Sequence, residues 1–165
     1  MKSTATISDC GTYRYTLGRV WDMALPQMGF VMLNPSTADA DADDPTIRKC
    51  IGFAKRANCG GINVVNLFAF RATDPADLRK AGYPVGPDND SHIEIAMRAS
   101  HSAVCAWGAN ARNLARPAEV LALLRKLNVH PVTLRLLAGN VPAHPLMLPY
   151  TCALQPMQHN AGNKL

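Results

Sequence analysis

The feature that most constrains this chain is the run Gly29-Phe30-Val31-Met32-Leu33, continuously apolar and then cut off by Asn34-Pro35-Ser36-Thr37. A strand with one face in water alternates apolar and polar residues. One with no polar position is buried on both faces, as in a parallel sheet covered by helices. The same kind of run recurs at Ile62 to Leu67, at Ala103 to Trp107 (closed by Gly108) and at Val132 to Leu137. Helical periods separate the runs. Asp43 or Asp44 as N-cap, with Pro45 in the first turn, opens a helix whose stripe is Ile47, Cys50, Ile51 and Ala54 and whose end is Asn58 and Gly60-Gly61. Asp88 or Asp90 opens a second, with Ile93, Ala96 and Met97 inward, and Pro117 to Leu127 forms a third, with Val120, Leu121, Leu124 and Leu127 on one side. Between Leu67 and the second helix lies a long polar loop with Arg71, Asp74, Pro75, Pro84 and Pro87. Strands alternating with helices predict an α/β fold, a three-layer sandwich around a central, mostly parallel four-stranded sheet. Tyr13 to Leu17 alternates large apolar and polar residues between Gly11 and Gly18, which adds an N-terminal antiparallel strand or hairpin.

With 165 residues, 48% of them apolar, the chain suits one α/β domain over residues 1–157, and residues 158–165 read as a polar, frayed tail. The five cysteines are odd in number and form no C-x-x-C pair, so free thiols are expected rather than a disulfide framework or a zinc ribbon. The N-terminus lacks the apolar core of a signal peptide, and no apolar run reaches membrane-spanning length. The expected location is cytoplasmic, with no membrane partner. A formal charge of +5 permits a polyanionic partner, but the basic residues are scattered, and a merely basic soluble protein fits as well.

In open parallel sheets, sites lie beyond the carboxyl ends of the strands. Three segments stand there. Asn34-Pro35 puts an amide, able both to donate and to accept, on a turn stiffened by proline, with Ser36 beside it; capping of its own turn is the plainer role. Asn66 interrupts an apolar strand near its end, and a buried amide must be paired. Arg71 follows it and could bind phosphate or clamp Asp74. His144, between Pro142 and Pro145, is a fixed imidazole able to donate to charge developing on a substrate oxygen. Asp39, Asp41, Asp43 and Asp44 crowd one loop, yet the glycine of a calcium loop is absent and acids before a helix also favour its dipole. No metal and no cofactor is assigned, and phosphate-loop, dinucleotide and nucleophile-elbow glycine patterns are missing.

Tyr13-Arg14-Tyr15, Met32 to Asp39, Asp43 to Arg48, Asn66 to Pro75, Trp107-Gly108 and His144-Pro145-Leu146 together resemble the bacterial and phage family called domain of unknown function 1643. A remoter resemblance is to the uracil-DNA glycosylase superfamily, through the order of four elements: Asn34-Pro35 after the first core strand, Asn66 with Arg71 five positions on, the small apolar strand ending at Gly108, and His144-Pro145. That resemblance implies a uracil-DNA-glycosylase-like fold and a hydrolase acting on the N-glycosidic bond of a nucleobase in DNA or a nucleotide. It implies Asn34 and His144 as catalytic residues, with Asn66, Arg71, Pro35 and Ser36 binding substrate. Two departures are plain. There is no four-cysteine iron–sulfur pattern, and Leu146, Met147 and Leu148 stand where small and polar residues follow His-Pro. The alternative is a non-catalytic nucleic-acid or nucleotide-binding module using the same cleft. If the remote resemblance holds, Asn34, Asn66 and His144 converge on one cleft, with Arg71 and the Asp43–Asp44 pair at its rim.

Overall fold

The computed structural model describes residues 1–157 of the chain, so the expected frayed tail lies outside the described residues. The strands are β1 (Lys2–Ile7), β2 (Arg14–Val20), β3 (Gln27–Met32), β4 (Gly61–Asn66), β5 (Ser102–Cys105), β6 (Pro131–Thr133), β7 (Leu136–Leu137), β8 (Val141–Pro142) and β9 (Gln155–Pro156). The helices are α1 (Pro45–Arg56), α2 (Pro75–Lys80), α3 (Asn89–Arg98) and α4 (Arg116–Lys126). Seven strands form one mixed sheet in the order β1-β2-β4-β3-β5-β6-β9. Its centre, β4-β3-β5-β6, is parallel, and β2, β1 and β9 add to it antiparallel.

The unbroken apolar run of β3 is explained by what covers it. Phe30 packs with Val64, Val104 and the α1 residues Ile47, Cys50 and Phe53. Its neighbour Val31 faces the other way, with Val65, Cys105, Ile93 and Met97 of α3, and Val120 and Leu124 of α4. Each large side chain so buried contributes about 1.5–3 kcal/mol relative to exposure. β3 leads to β4 on one side, and the later strands β5 and β6 extend the sheet on the other. The switch in strand order therefore lies between β3 and β5, where their carboxyl ends open a crevice. No helix among the described residues is long and apolar enough to cross a membrane.

Two expectations need correction, and the expected N-terminal strand or hairpin gains a first strand that the sequence did not mark. The fourth core strand ends at Thr133 rather than Leu137. Arg135 is exposed, a position that a doubly covered sheet cannot hold, and Leu136–Leu137 turns away to pair with Val141–Pro142. The loop after β4 is not structureless: Asp74 caps α2 by accepting from the Ala76 amide at 2.8 Å, Pro75 takes the first turn, and Leu78 is its buried anchor. Lys2–Ile7 is a full strand although its sequence has no apolar face. It is an edge strand, exposed at every residue but the half-buried Ala5, and its backbone pairing with β2 suffices.

Candidate active site in the sheet crevice

A cavity of about 400 Å³ opens at the carboxyl ends of β3 and β5 and the N-terminus of α1. This is within the ~300–1,000 Å³ range of small-molecule sites. Asn34 and Ser36 come from the end of β3, Asp44 from the start of α1, Trp107 and Gly108 from the end of β5, and His144 from the segment after β8.

A β-bulge supplies the residue least expected there. Thr6 pairs with Thr16 but Ile7 pairs with Arg14, so Tyr15 is the extra residue in β2. Leu17 and Arg19 point to the α1 side of the sheet. Strict alternation would send Arg14 to the other side. The extra residue turns it back to the α1 side, onto the cavity wall, while Tyr15 stacks on His92 of α3 with ring centroids 4.7 Å apart. Arg14 is 2% exposed. Its Nη1 donates to the Ala38 carbonyl at 2.6 Å, and its Nε, buried, has no partner among the described residues. Burial pulls its guanidinium down to about 10.

Asn34 is held so that one atom is left over. Its Nδ2 donates to the Ala72 carbonyl at 2.8 Å and to the Pro35 carbonyl at 3.1 Å. Two carbonyls demand the amino group, so Oδ1 is an acceptor with no hydrogen bond among the described residues. His144 is held the opposite way. It caps the 3₁₀ turn Pro145–Met147, its Nδ1 accepting from the Leu146 amide at 3.2 Å. A ring that accepts at Nδ1 carries its proton on Nε2 when neutral. Burial lowers the pKa of His144, while Asp44 opposes the shift. Gly108 backs this residue: at φ +79°, a Cβ there would stand 3.1 Å from the His144 Cβ.

The acidic loop is largely consumed by structure. Asp39 Oδ1 accepts from the Asp41 and Ala42 amides, at 2.8 and 2.9 Å, and these bonds hold its carboxyl below the usual range. Asp43 pairs with Arg19 at 2.8 Å, and Arg19 also donates to the Asp39 carbonyl. Asp44 caps α1 through the Ile47 amide at 2.9 Å and is the one carboxylate among the described lining residues. No group of three or more His, Cys, Asp or Glu side chains among the described residues is placed to hold a metal ion.

Of the residues singled out from sequence, Asn34, Ser36 and His144 share the cavity, whereas Pro35, Asn66 and Arg71 are not among its lining residues. Pro35 is buried, and its carbonyl accepts from Asn34 and Ala72. Asn66 is 1% exposed with both amide atoms unpaired among the described residues; it is the register partner of Met32, which does line the cavity. Arg71 is half-buried, electrostatically coupled to Arg14 and Asp39, and makes no clamp with Asp74, whose carboxylate is spent on the α2 cap. Asp44, expected at the rim, lines the cavity, whereas sequence reasoning missed Arg14 and Asn110. The signal for Arg14 was a cation between two tyrosines in an otherwise apolar strand end, but its facing depends on a bulge that no residue type announces.

The family model described as protein of unknown function (DUF1643) matches residues 14–146. The span starts at Arg14 and stops at Leu146, both of which line the cavity. No curated protein matches the chain, and no solved structure does.

Proposed function

The chain belongs to the DUF1643 family, and from that premise we propose that its cavity hydrolyses the N-glycosidic bond of a nucleobase carried by a nucleotide or by DNA. One observation carries the reading: Asn34 and His144, remote in sequence, line one cavity with complementary atoms left over, an acceptor on Asn34 and an Nε2–H donor on His144. In this reading a water held by Asn34 Oδ1 attacks the sugar carbon. A carbon–oxygen bond forms, the carbon–nitrogen bond breaks, and its electron pair leaves with the base. His144 Nε2–H donates to the base oxygen on which negative charge grows. An amide cannot take the proton of the water; Asp44, whose cap occupies one oxygen, takes it and faces the positive charge on the sugar. Asn66 stands off the wall with its amide unpaired among the described residues, and it carries no step.

The test is incubation of the full chain with pooled nucleosides, nucleotides and modified oligonucleotides, with released base read by mass spectrometry. Base is expected from at least one pool. On that substrate, His144→Ala should lose roughly 10²–10³ in rate, the cost of one oxyanion-type donor, and Asn34→Ala, which leaves the attacking water unheld, should also lose rate. Full activity of Asn34→Ala would end the mechanism. Salt-dependent binding without base release, indifferent to His144→Ala, would instead select a non-catalytic nucleotide-binding module, the role that the apolar rim at Leu146 and the 88%-exposed Met147 would suit.

A further inference from the structure

Two arginines of β2 are equally buried and differently satisfied. Arg19 is 2% exposed and ion-paired to Asp43 at 2.8 Å, with further bonds to the Asp39 and Gly18 carbonyls. Arg14 is also 2% exposed, yet it has no carboxylate within ion-pair distance among the described residues; one carbonyl accepts from it and its Nε is unpaired. Burial lowers the Arg14 pKa, and Asp44 and Asp39 act on it only through space, against Arg71 and Arg19. A buried cation with no direct ion pair is costly, which is why such groups are normally paired. This one borders a cavity, and a bulge is spent on turning it there. A guanidinium fork matches the oxygens of a phosphate.

We infer that Arg14 is the anion-binding residue of the cavity and that the natural ligand is a small molecule ending in a phosphate monoester. The class follows from burial. An internal phosphodiester continues in both directions and stays at a protein surface, whereas a terminal phosphate can be enclosed beside a side chain that solvent hardly reaches. The cavity volume fits a single nucleotide-sized molecule. Asp44, on the same wall and electrostatically coupled to Arg14, disfavours an extended polyanion. Identification of the ligand as a nucleoside monophosphate rests on the N-glycosidic reading above; the anion site itself does not.

Calorimetry and thermal shift on the full chain would use inorganic phosphate, nucleoside 5′-monophosphates, the matching nucleosides, and an oligonucleotide lacking terminal phosphates. Monophosphates should bind about ten- to a hundredfold more tightly than nucleosides, the range for hydrogen bonds to a charged group. Inorganic phosphate should raise the melting temperature. Arg14→Met should reduce the preference to about twofold or less, and Arg14→Lys should retain part of it, since charge survives and the fork does not. Equal binding of nucleosides and monophosphates by the unaltered protein overturns the inference, and that comparison stands even if Arg14→Met fails to fold. An oligonucleotide binding as tightly as the monophosphate overturns the terminal-phosphate class. The two readings fail separately: phosphate-dependent binding without base release rejects the hydrolase and keeps the anion site, while base release at equal rates from nucleosides and monophosphates does the reverse.

Discussion

His144 and Gly108 form a unit whose chemistry is set by two short backbone facts. Gly108 sits at φ +79° with the His144 Cβ 3.1 Å from where its own Cβ would be. Gly108→Ala should therefore cost about 1–3 kcal/mol, because φ +79° with ψ −178° is backbone that essentially only glycine adopts, and should shift His144. Base release should fall by more than loss of folded protein explains, which activity normalised to the folded fraction by circular dichroism would check. The capping bond from the Leu146 amide needs an unprotonated Nδ1. Burial favours that neutral ring and lowers the His144 pKa. The folded chain thus binds this proton less readily than the unfolded one, so stability rises with pH in the window. The contribution is complete above the ordinary imidazole value of ~6.5 and is lost as pH falls from there to the lower folded value. Urea melts across that window should show a shallower pH dependence for His144→Gln than for the unaltered chain. The other histidines are common to both proteins, so the difference belongs to His144.

At the scale of elements, the N-terminus of α1 ties fold to site. Asp44 caps the helix through the Ile47 amide, Pro45 takes the first turn, and the same carboxylate lines the cavity. The two duties separate by substitution. Asp44→Ala removes the cap and should cost about 1 kcal/mol, whereas Asp44→Asn keeps an equally good cap and should melt close to the unaltered protein. If Asp44 takes the proton of the attacking water, both variants lose base release alike. A loss confined to the alanine variant would show that the carboxylate only starts the helix. The β1–β2 bulge is the second such element. It was invisible in the alternation of Tyr13 to Leu17, which predicted a strand and its partner but not that Arg14 and Leu17 share a face. The short α2 escaped notice because six residues with one buried side chain leave no stripe to read.

At the scale of the whole molecule, the sheet is held between two cores, and the crevice exists because β3 is flanked by β4 on one side and β5 on the other. Phe30, fully buried on the central strand, carries the α1 side. Phe30→Ala should destabilise by about 3–5 kcal/mol, measured as a lower urea midpoint with an unchanged slope. A loss below about 1 kcal/mol would mean the α1 layer is loosely packed. What the sequence determined by itself was the layering. Continuous apolar runs can be buried only on both faces, and helices with one apolar stripe must cover them. Those two local signals led to the parallel centre, a helix start at Asp43 or Asp44, and the inward residues Ile47, Ile93 and Val120. Placement of Asn34 at the carboxyl end of the sheet followed from strand direction alone, whereas His144 arrives there beyond the β7–β8 pair. Which of the loop residues would meet was decided only in three dimensions. Asn66 ends a strand as Asn34 follows one and shares the sheet face of its register partner Met32, yet Met32 lines the cavity and the Asn66 amide is buried off its wall. Arg14, six strands removed from His144 in chain order, reaches the same wall through one extra residue in its strand. Facing in a strand flips with a one-residue change in register. Register is fixed by pairing with a distant segment, and no local stretch of sequence contains it.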